Sequence, residues 1–472
     1  MHKPHLAICL TRVFALLLLE CTVRRPSPQT VRSVPEGTTT PAALLVLAPP
    51  DFAARVDRIA QEAVRSGATA GLAVAVVERG RTLVSKGYGY ANLELRSEVR
   101  PETVFRIGSI SKQFTATAIL QLVEQGKLRL DEEVAAALPA FPSRGHHLTI
   151  AHLLDQTSGI PEYVGRGEPF SRAIRLGASP AEVLALFRDE PFDFEPGTRW
   201  AYSSSNYHLL GLLVERASGM AYAEYLEKNV FPRAGLKATR YCDDAALIPG
   251  RAAGYASGEG GLRNAAAIAM AVPWAAGGLC STAPDLARWE AALEQGQVVS
   301  RESYARMIKP SRTRDGKTNE YGFGLYTGRF AGHRVVWHGG YIPGFSAEAE
   351  RYADDDLTVV VLRNTEGPLV ATIAERIARA ALGIPELAGQ PVPAELGRRC
   401  EGAYTTPDGA RLSLEWRGGK VFARRGKEER VELLRDGDVL VASATLRRYR
   451  CNGSTLSIGD GKRWYDDLPR AP

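Results

Sequence analysis

A serine and a lysine three residues apart, Ser109 and Lys112, are the residues of this chain best suited to chemistry. On a helix, residues three apart share a face, so the hydroxyl and the amine would be neighbours. A partly desolvated amine loses its charge more readily and is then able to take the serine proton. Apolar residues at Phe114, Ala118 and Leu122 continue with helical spacing, which predicts that Ser109 opens a buried helix. The pattern favours nucleophilic catalysis, with a serine-capped helix and an exposed lysine as the alternative.

Two later segments carry groups able to move a proton or to approach an oxyanion. Tyr202 lies in a polar loop before an apolar helical pattern, where it is placed to relay a proton or, alternatively, to cap the helix. His338, Gly339 and Gly340 follow a strand pattern. Two glycines let a substrate come close to the backbone, although a tight turn between strands needs them as well.

The elements that must position these residues follow a simple order. Strand patterns cover 71–78 and 82–89, a mostly helical region covers about 105–300, and strand patterns return at 333–338, 345–352 and 357–363. A helix with one apolar face follows them. We therefore expect an α+β fold in which both ends of the segment build one antiparallel sheet and the helical middle flanks it. This arrangement would bring Ser109 close to His338.

The chain divides into four parts by composition. Residues 1–50 are predicted to be a leader and linker, 51–384 a catalytic domain, 385–396 a second linker and 397–472 a small domain. Short alternating segments separated by Gly-rich turns predict that the small domain is an all-β sandwich or barrel.

The leader and the cysteines bear on the compartment. Lys3 followed by an apolar run over 6–19 is similar to a signal peptide, although Arg12 interrupts it. We expect an exported protein, periplasmic or extracellular, with no stable membrane span beyond the leader. Cys400 and Cys451 would be able to form a disulfide there, whereas Cys242 and Cys280 are isolated in the sequence and their pairing stays open.

Composition excludes some classes of function. The net charge of +6 on 472 residues is small and spread out, which argues against nucleic-acid binding. The eight histidines include no His-Glu-x-x-His pattern, so a zinc site is not predicted. A P-loop, a Rossmann fingerprint and the Gly-x-Ser-x-Gly elbow of α/β-hydrolases are absent.

Taken together, these motifs resemble the serine β-lactamase-like family, which includes class C β-lactamases, D-alanyl-D-alanine carboxypeptidases and esterases. The resemblance spans about residues 52–383 and depends on these ordered segments: Phe105–Thr115, Leu153–Pro161, Pro196–Gly211, Gly277–Thr282, Tyr321–Leu325 and His338–Ser346.

The resemblance assigns a role to each of the residues that carry it. It implies that Ser109 is the acylated nucleophile, Lys112 its base partner, and Tyr202 the group that shares the proton and protonates the leaving group. The backbone N–H groups of Ser109 and Tyr341 would form the oxyanion hole. His338, Gly339, Gly340 and Tyr341 would contact the substrate, together with Ser204. The mechanism needs no metal or organic cofactor.

Two departures from the family pattern bear on the substrate. Ser204 stands where Tyr-x-Asn has its amide, with Asn206 two residues later, and His338 stands where many β-lactamases have a lysine. We therefore expect a serine hydrolase of esters, amides or D-peptides, including peptidoglycan-derived ones, rather than a true β-lactamase. The alternative is a non-catalytic, penicillin-binding-like sensor on the same fold. The oligomeric state and the role of the small domain stay open.

Overall fold

A computed structural model describes residues 48–387, 392–406, 409–426, 430–436, 439–442, 447–452, 455–459, 462 and 464–470. Residues 1–47 of the predicted leader and linker lie outside the described residues. The helices are α1 Phe52–Arg65, α2 Ser111–Glu124, α3 Val134–Ala137, α4 Ile150–Leu154, α5 Gly167–Leu176, α6 Pro180–Ala185, α7 Ser204–Ser218, α8 Tyr222–Asn229, α9 Trp274–Gly277, α10 Ala283–Glu294, α11 Arg301–Met307, α12 Leu369–Ala381 and α13 Ala394–Cys400.

The strands before the small domain are β1 Gly71–Glu78, β2 Arg81–Asn92, β3 Ser97–Glu98, β4 Phe105–Arg106, β5 Arg240–Tyr241, β6 Tyr255–Gly258, β7 Gly261–Asn264, β8 Leu279–Ser281, β9 Ser311–Arg312, β10 Thr318–Asn319, β11 Tyr326–Phe330, β12 His333–Ile342, β13 Phe345–Tyr352 and β14 Leu357–Arg363. Those of the small domain are β15 Gly402–Thr405, β16 Arg411–Arg417, β17 Lys420–Arg425, β18 Val431–Asp436, β19 Val439–Ala442, β20 Arg447–Asn452, β21 Thr455–Gly459 and β22 Trp464–Pro469.

One seven-stranded sheet joins the two ends of the catalytic segment, as the sequence predicts. Its order is β11-β12-β13-β14-β1-β2-β3, and β1 pairs antiparallel with β14 so that Val74 lies opposite Val361. On one face, α1 and α12 cover an apolar layer that contains Val74, Val361 and Ile377. The helical middle covers the other face. The expected α+β architecture is confirmed.

The helix that follows Ser109 is buried on every side. Every residue of α2 from Ser111 to Leu122 is buried, as expected for a helix enclosed by other elements. Ser109 itself lies in a 3₁₀ turn, Gly108–Ile110, directly before α2. The prediction that Ser109 opens a buried helix therefore holds to within this one turn.

Two details differ from the sequence-based expectation. Strand β12 does not end at His338 but continues to Ile342, because Gly339 and Gly340 pair with β13 across from Glu348 and Ala347. Helix α13 begins at Ala394, inside the predicted linker. Strand pairing carries β12 through its two glycines, whereas α13 is a separate short helix that starts directly after Pro393.

The small domain is an eight-stranded antiparallel barrel in which β15 to β22 follow one another in sequence order. A bridge between Tyr404 and Arg470 brings its first and last strands together. Cys400 at the end of α13 forms a disulfide with Cys451 on β20, as expected. Cys242, directly after β5, also forms a disulfide with Cys280 on β8.

Buried ion pairs hold the barrel against the catalytic domain. Arg379 on α12 contacts Glu375 at 3.0 Å and Asp436 of the barrel at 2.5 Å, and Arg448 of the barrel contacts Glu375 at 2.7 Å. Both guanidinium groups lie near the Phe330 ring, 5.3 and 5.7 Å from its centroid. Moving the barrel away would leave these buried charges unpaired, which is costly. The ion pairs therefore hold the barrel in one position on the catalytic domain.

No helix in the described part of the chain combines the length and apolarity needed to cross a bilayer. Within the same residues, no group of three or more His, Cys, Asp and Glu side chains is arranged to hold a metal ion.

Candidate active site

The turn that carries Ser109 depends on Gly108 and lies close to strand β12. Gly108 has φ of +51°, in the left-handed region that favours glycine. A Cβ on Gly108 would lie 2.9 Å from the backbone nitrogen of Tyr341. The nucleophile turn thus packs directly on β12, and the partly exposed Ser109 side chain faces a cavity.

Lys112 meets the requirements for a base. Its Nζ lies 3.2 Å from Ser109 Oγ and 2.7 Å from the carbonyl oxygen of Ala276, and the side chain has no solvent exposure. Burial lowers the pKa of Lys112 to about 7, against a smaller opposing effect of the Glu162 carboxylate. A substantial fraction of the amine is therefore neutral near pH 7 and able to accept the Ser109 proton.

Tyr202 lines the same cavity as Ser109. Burial raises the pKa of its hydroxyl well above the usual value, against a smaller opposing effect of the Ser109 hydroxyl. Lys112 Nζ is 4.9 Å from the centroid of the Tyr202 ring. Since Tyr202 is a phenol at neutral pH, it is suited to donate or relay a proton, and Lys112 is better suited to be the base; both roles stay predictions.

Strand β12 brings Tyr341 to the nucleophile. A Cβ on Gly340 would lie 1.9 Å from the carbonyl oxygen of Ile107, so only glycine permits this approach. Tyr341 lines the cavity and is half exposed. The backbones of Ser109 and Tyr341 are thus neighbours, as an oxyanion hole requires, and the role itself stays a prediction.

His338 lies next to Tyr202, with ring centroids 6.2 Å apart, but does not line the cavity. It is 2% exposed. Its Nδ1 donates to the carbonyl oxygen of Gly339 at 2.6 Å, and its Nε2 lies 3.4 Å from the Tyr321 hydroxyl. Because a carbonyl oxygen only accepts, Nδ1 carries the proton. Direct contact of His338 with substrate stays a prediction.

Glu162 is a site residue that sequence reasoning missed. It lines the cavity with Ser109, Tyr202 and Ser204. Its carboxylate accepts hydrogen bonds from the backbone N–H of Ser204 at 2.6 Å and of Val164 at 2.9 Å. The N-terminus of α7 favours this negative charge. Its place in the sequence could have pointed to it, because Glu162 directly follows the segment Leu153–Pro161.

Asn206 is structural. Its Nδ2 donates to Gln156 at 2.6 Å, and its Oδ1 accepts from the Ser158 hydroxyl at 2.6 Å. The side chain is fully buried, so it anchors the 156–158 loop to α7. The position next to the cavity belongs to Ser204, whose short side chain leaves room there.

The cavity has a volume of about 570 Å³. Apolar side chains form most of its wall, among them Phe170 and Ile174 from α5 and Ile268 and Val272 from the loop before α9. Among the described lining residues, the cationic side chain is that of Arg175, which pairs with Glu168 at 3.2 Å. A site of this kind favours an apolar group next to the reacting bond.

The fold, the serine nucleophile, the buried lysine and the tyrosine define a serine hydrolase that acts through an acyl-enzyme. The model of the Beta-lactamase family matches residues 56–383, and the chain belongs to this family. It is 29% identical to a D-aminopeptidase of Brucella melitensis over 389 residues, which cover 80% of this chain and 72% of that protein. It is 30% identical to penicillin-binding protein 4* of Bacillus subtilis over 393 residues, 76% of this chain and 85% of that one.

Solved structures show the same fold. The octameric penicillin-binding protein homologue from Pyrococcus abyssi superimposes with a TM-score of 0.64 at 25% identity, covering 88% of this chain and 99% of its own. A D-stereospecific amidohydrolase from Streptomyces sp. superimposes with a TM-score of 0.60 at 25% identity, covering 70% of this chain and 98% of its own.

Proposed function

We propose that this hydrolase removes an N-terminal D-residue with an apolar side chain from a short peptide or amide. The observation that carries the proposal is Glu162, a carboxylate in the cavity wall beside Ser204 that is suited to bind a free α-amino group. The apolar wall would accept the side chain. Similarity to proteins named D-aminopeptidase and D-stereospecific amidohydrolase supports the D-configuration.

A substrate with a free terminal carboxylate fits less well. A carboxylate at Glu162 would be repelled, and the cation among the described lining residues, Arg175, already pairs with Glu168. Peptidoglycan-derived peptides are therefore candidate substrates when they present an amino-terminal D-residue, rather than a carboxy-terminal one.

Acylation begins when Ser109 Oγ attacks the carbonyl carbon and its proton passes to Lys112 Nζ. The carbonyl oxygen gains negative charge and accepts hydrogen bonds from the N–H groups of Ser109 and Tyr341. The C–N bond then breaks, and Tyr202 delivers a proton to the leaving amine while Lys112 returns its proton through the phenol.

Deacylation reverses these roles. A water molecule attacks the ester carbon, and its proton passes through Tyr202 to Lys112. The bond to Ser109 Oγ breaks, and the serine regains a proton from Lys112 as the free D-amino acid leaves. Besides this water, the steps use Ser109, Lys112, Tyr202 and the two backbone N–H groups.

The test compares D-phenylalanine amide with its L-enantiomer and with N-acetyl-D-phenylalanine amide, in wild type and in Ser109→Ala. We expect turnover of the D-amide, at least about tenfold slower turnover of the other two, and loss of about four orders of magnitude in Ser109→Ala. Equal rates for free and N-acetylated substrates would overturn the amine-binding role of Glu162. A fluorescent penicillin in parallel reports acylation of Ser109 independently.

We also propose that the protein is exported. The two disulfides, Cys242–Cys280 and Cys400–Cys451, support an oxidising compartment. When the protein is isolated from its host without reductant, these four cysteines should not react with an alkylating reagent until the protein is reduced. Four reactive thiols at these positions before reduction would contradict export.

A further inference from the structure

Two buried carboxylates lie on β13, on the sheet face turned away from the nucleophile. Glu350 is opposite Trp337 and Glu348 is opposite Gly339 in the antiparallel pairing, and opposite residues share a face. Glu350 is fully buried and Glu348 is 5% exposed. Because burying two negative charges is costly, this face requires a cation.

The barrel supplies that cation. Lys462, between β21 and β22, places Nζ 2.6 Å from Glu350 Oε1 and 3.8 Å from Glu348 Oε2. The same ammonium lies 5.2 Å from the centroid of the Trp337 ring, within the range of a cation–π interaction. Lys462 itself is 8% exposed.

The backbone around Lys462 is also held on the sheet edge. Its carbonyl oxygen accepts a hydrogen bond from the N–H of Arg329 at 3.0 Å. A Cβ on Gly328 would lie 2.0 Å from that oxygen, so a side chain at this position of β11 would push the barrel away. The lysine is therefore placed by backbone contacts, independently of its charge.

Glu348 connects this cluster with the catalytic strand. Its Oε1 would lie 3.0 Å from a Cβ on Gly339, so the carboxylate occupies the space above that glycine. Gly340 and Tyr341 follow on β12 and pack against the turn of Ser109. The path from the barrel to the oxyanion donor consists of Lys462, Glu348 and three residues of one strand.

We propose that Lys462 is a positioning residue through which the C-terminal barrel holds β12 in place against the nucleophile turn. Its charge holds Glu348 and Glu350, and these carboxylates support the segment Gly339–Tyr341. The proposal rests on the oxyanion role given to Tyr341, but not on the choice of a D-residue substrate.

The test uses the full chain and p-nitrophenyl acetate, which does not need the amine-binding carboxylate. We expect Lys462→Met to lower kcat at least about tenfold with KM within about twofold, since small displacements of catalytic groups reduce turnover strongly. Lys462→Arg should restore most of kcat because it keeps the charge. Lys420→Met, which removes an exposed barrel lysine paired with Glu432 at 3.0 Å, is the matched control and should leave kcat unchanged.

A folded Lys462→Met with wild-type kcat would overturn the proposal, even if its melting temperature falls. If that variant does not fold, Glu348→Gln decides, because it leaves the Lys462–Glu350 pair intact. We then expect kcat to fall at least about threefold at constant KM, and an unchanged kcat would overturn the proposal. Failure of the D-amide to turn over while p-nitrophenyl acetate is hydrolysed would instead contradict the proposed substrate.

Discussion

At the scale of single residues, the proposed chemistry depends on the protonation of Lys112. Burial lowers its pKa to about 7, so the amine is neutral above this pH and charged below it. We expect kcat/KM for an uncharged ester to fall about tenfold per pH unit below 7 and to level off above it. A pH profile from 5 to 9 checks this, and a flat profile across 5.5–8 would contradict a lysine base.

Glu162 should affect both the pH profile of kcat/KM and the choice of substrate. Its carboxylate raises the pKa of Lys112, so Glu162→Gln should move the acid limb to lower pH. The variant should also lose about 10- to 100-fold in kcat/KM for D-phenylalanine amide, because a charge-assisted contact to the ammonium is removed. The N-acetylated analogue serves as the internal control and should change little. A uniform loss on both substrates would instead indicate general damage to the site.

At the scale of elements, α5 forms the apolar side of the cavity. Ile174 lines it, whereas Arg172 on the same helix is exposed. Ile174→Asn should reduce the kcat/KM ratio of D-phenylalanine amide to D-alanine amide by about tenfold, since the larger side chain loses apolar contact. Arg172→Asn should leave that ratio unchanged. If the ratio is also unchanged in Ile174→Asn, the substrate side chain binds elsewhere.

At the scale of the whole molecule, the ion pairs beneath the barrel should dominate the stability of the interface. Arg448→Met leaves Glu375 and Asp436 with Arg379 as their partner, and we expect a loss of about 3–5 kcal/mol in the free energy of unfolding. Arg430→Met breaks an exposed pair with Glu415 and should cost less than about 1 kcal/mol. Denaturant unfolding of both variants measures the difference, and equal losses would contradict the buried network.

Local patterns were sufficient to predict the fold of this chain and to bring Ser109 and Lys112 together. The Ser109–Lys112 spacing predicts adjacent groups because a helical turn separates residues by a fixed geometry. Strand patterns at both ends of the segment predicted one sheet, because apolar alternation must be buried against a partner. The loop position of Tyr202 was also accessible from the sequence.

Only the tertiary structure decided how far each group is from solvent and from other charges. The lowered pKa of Lys112 arises from burial by elements distant in sequence. Glu162 became a site residue because Ser204 N–H holds it in the cavity wall, whereas His338 is buried and does not line the cavity. The sequence by itself thus determined the family and named the candidate reacting groups, whereas the lining of the cavity and the contacts of Lys462 depend on long-range packing that no local pattern encodes.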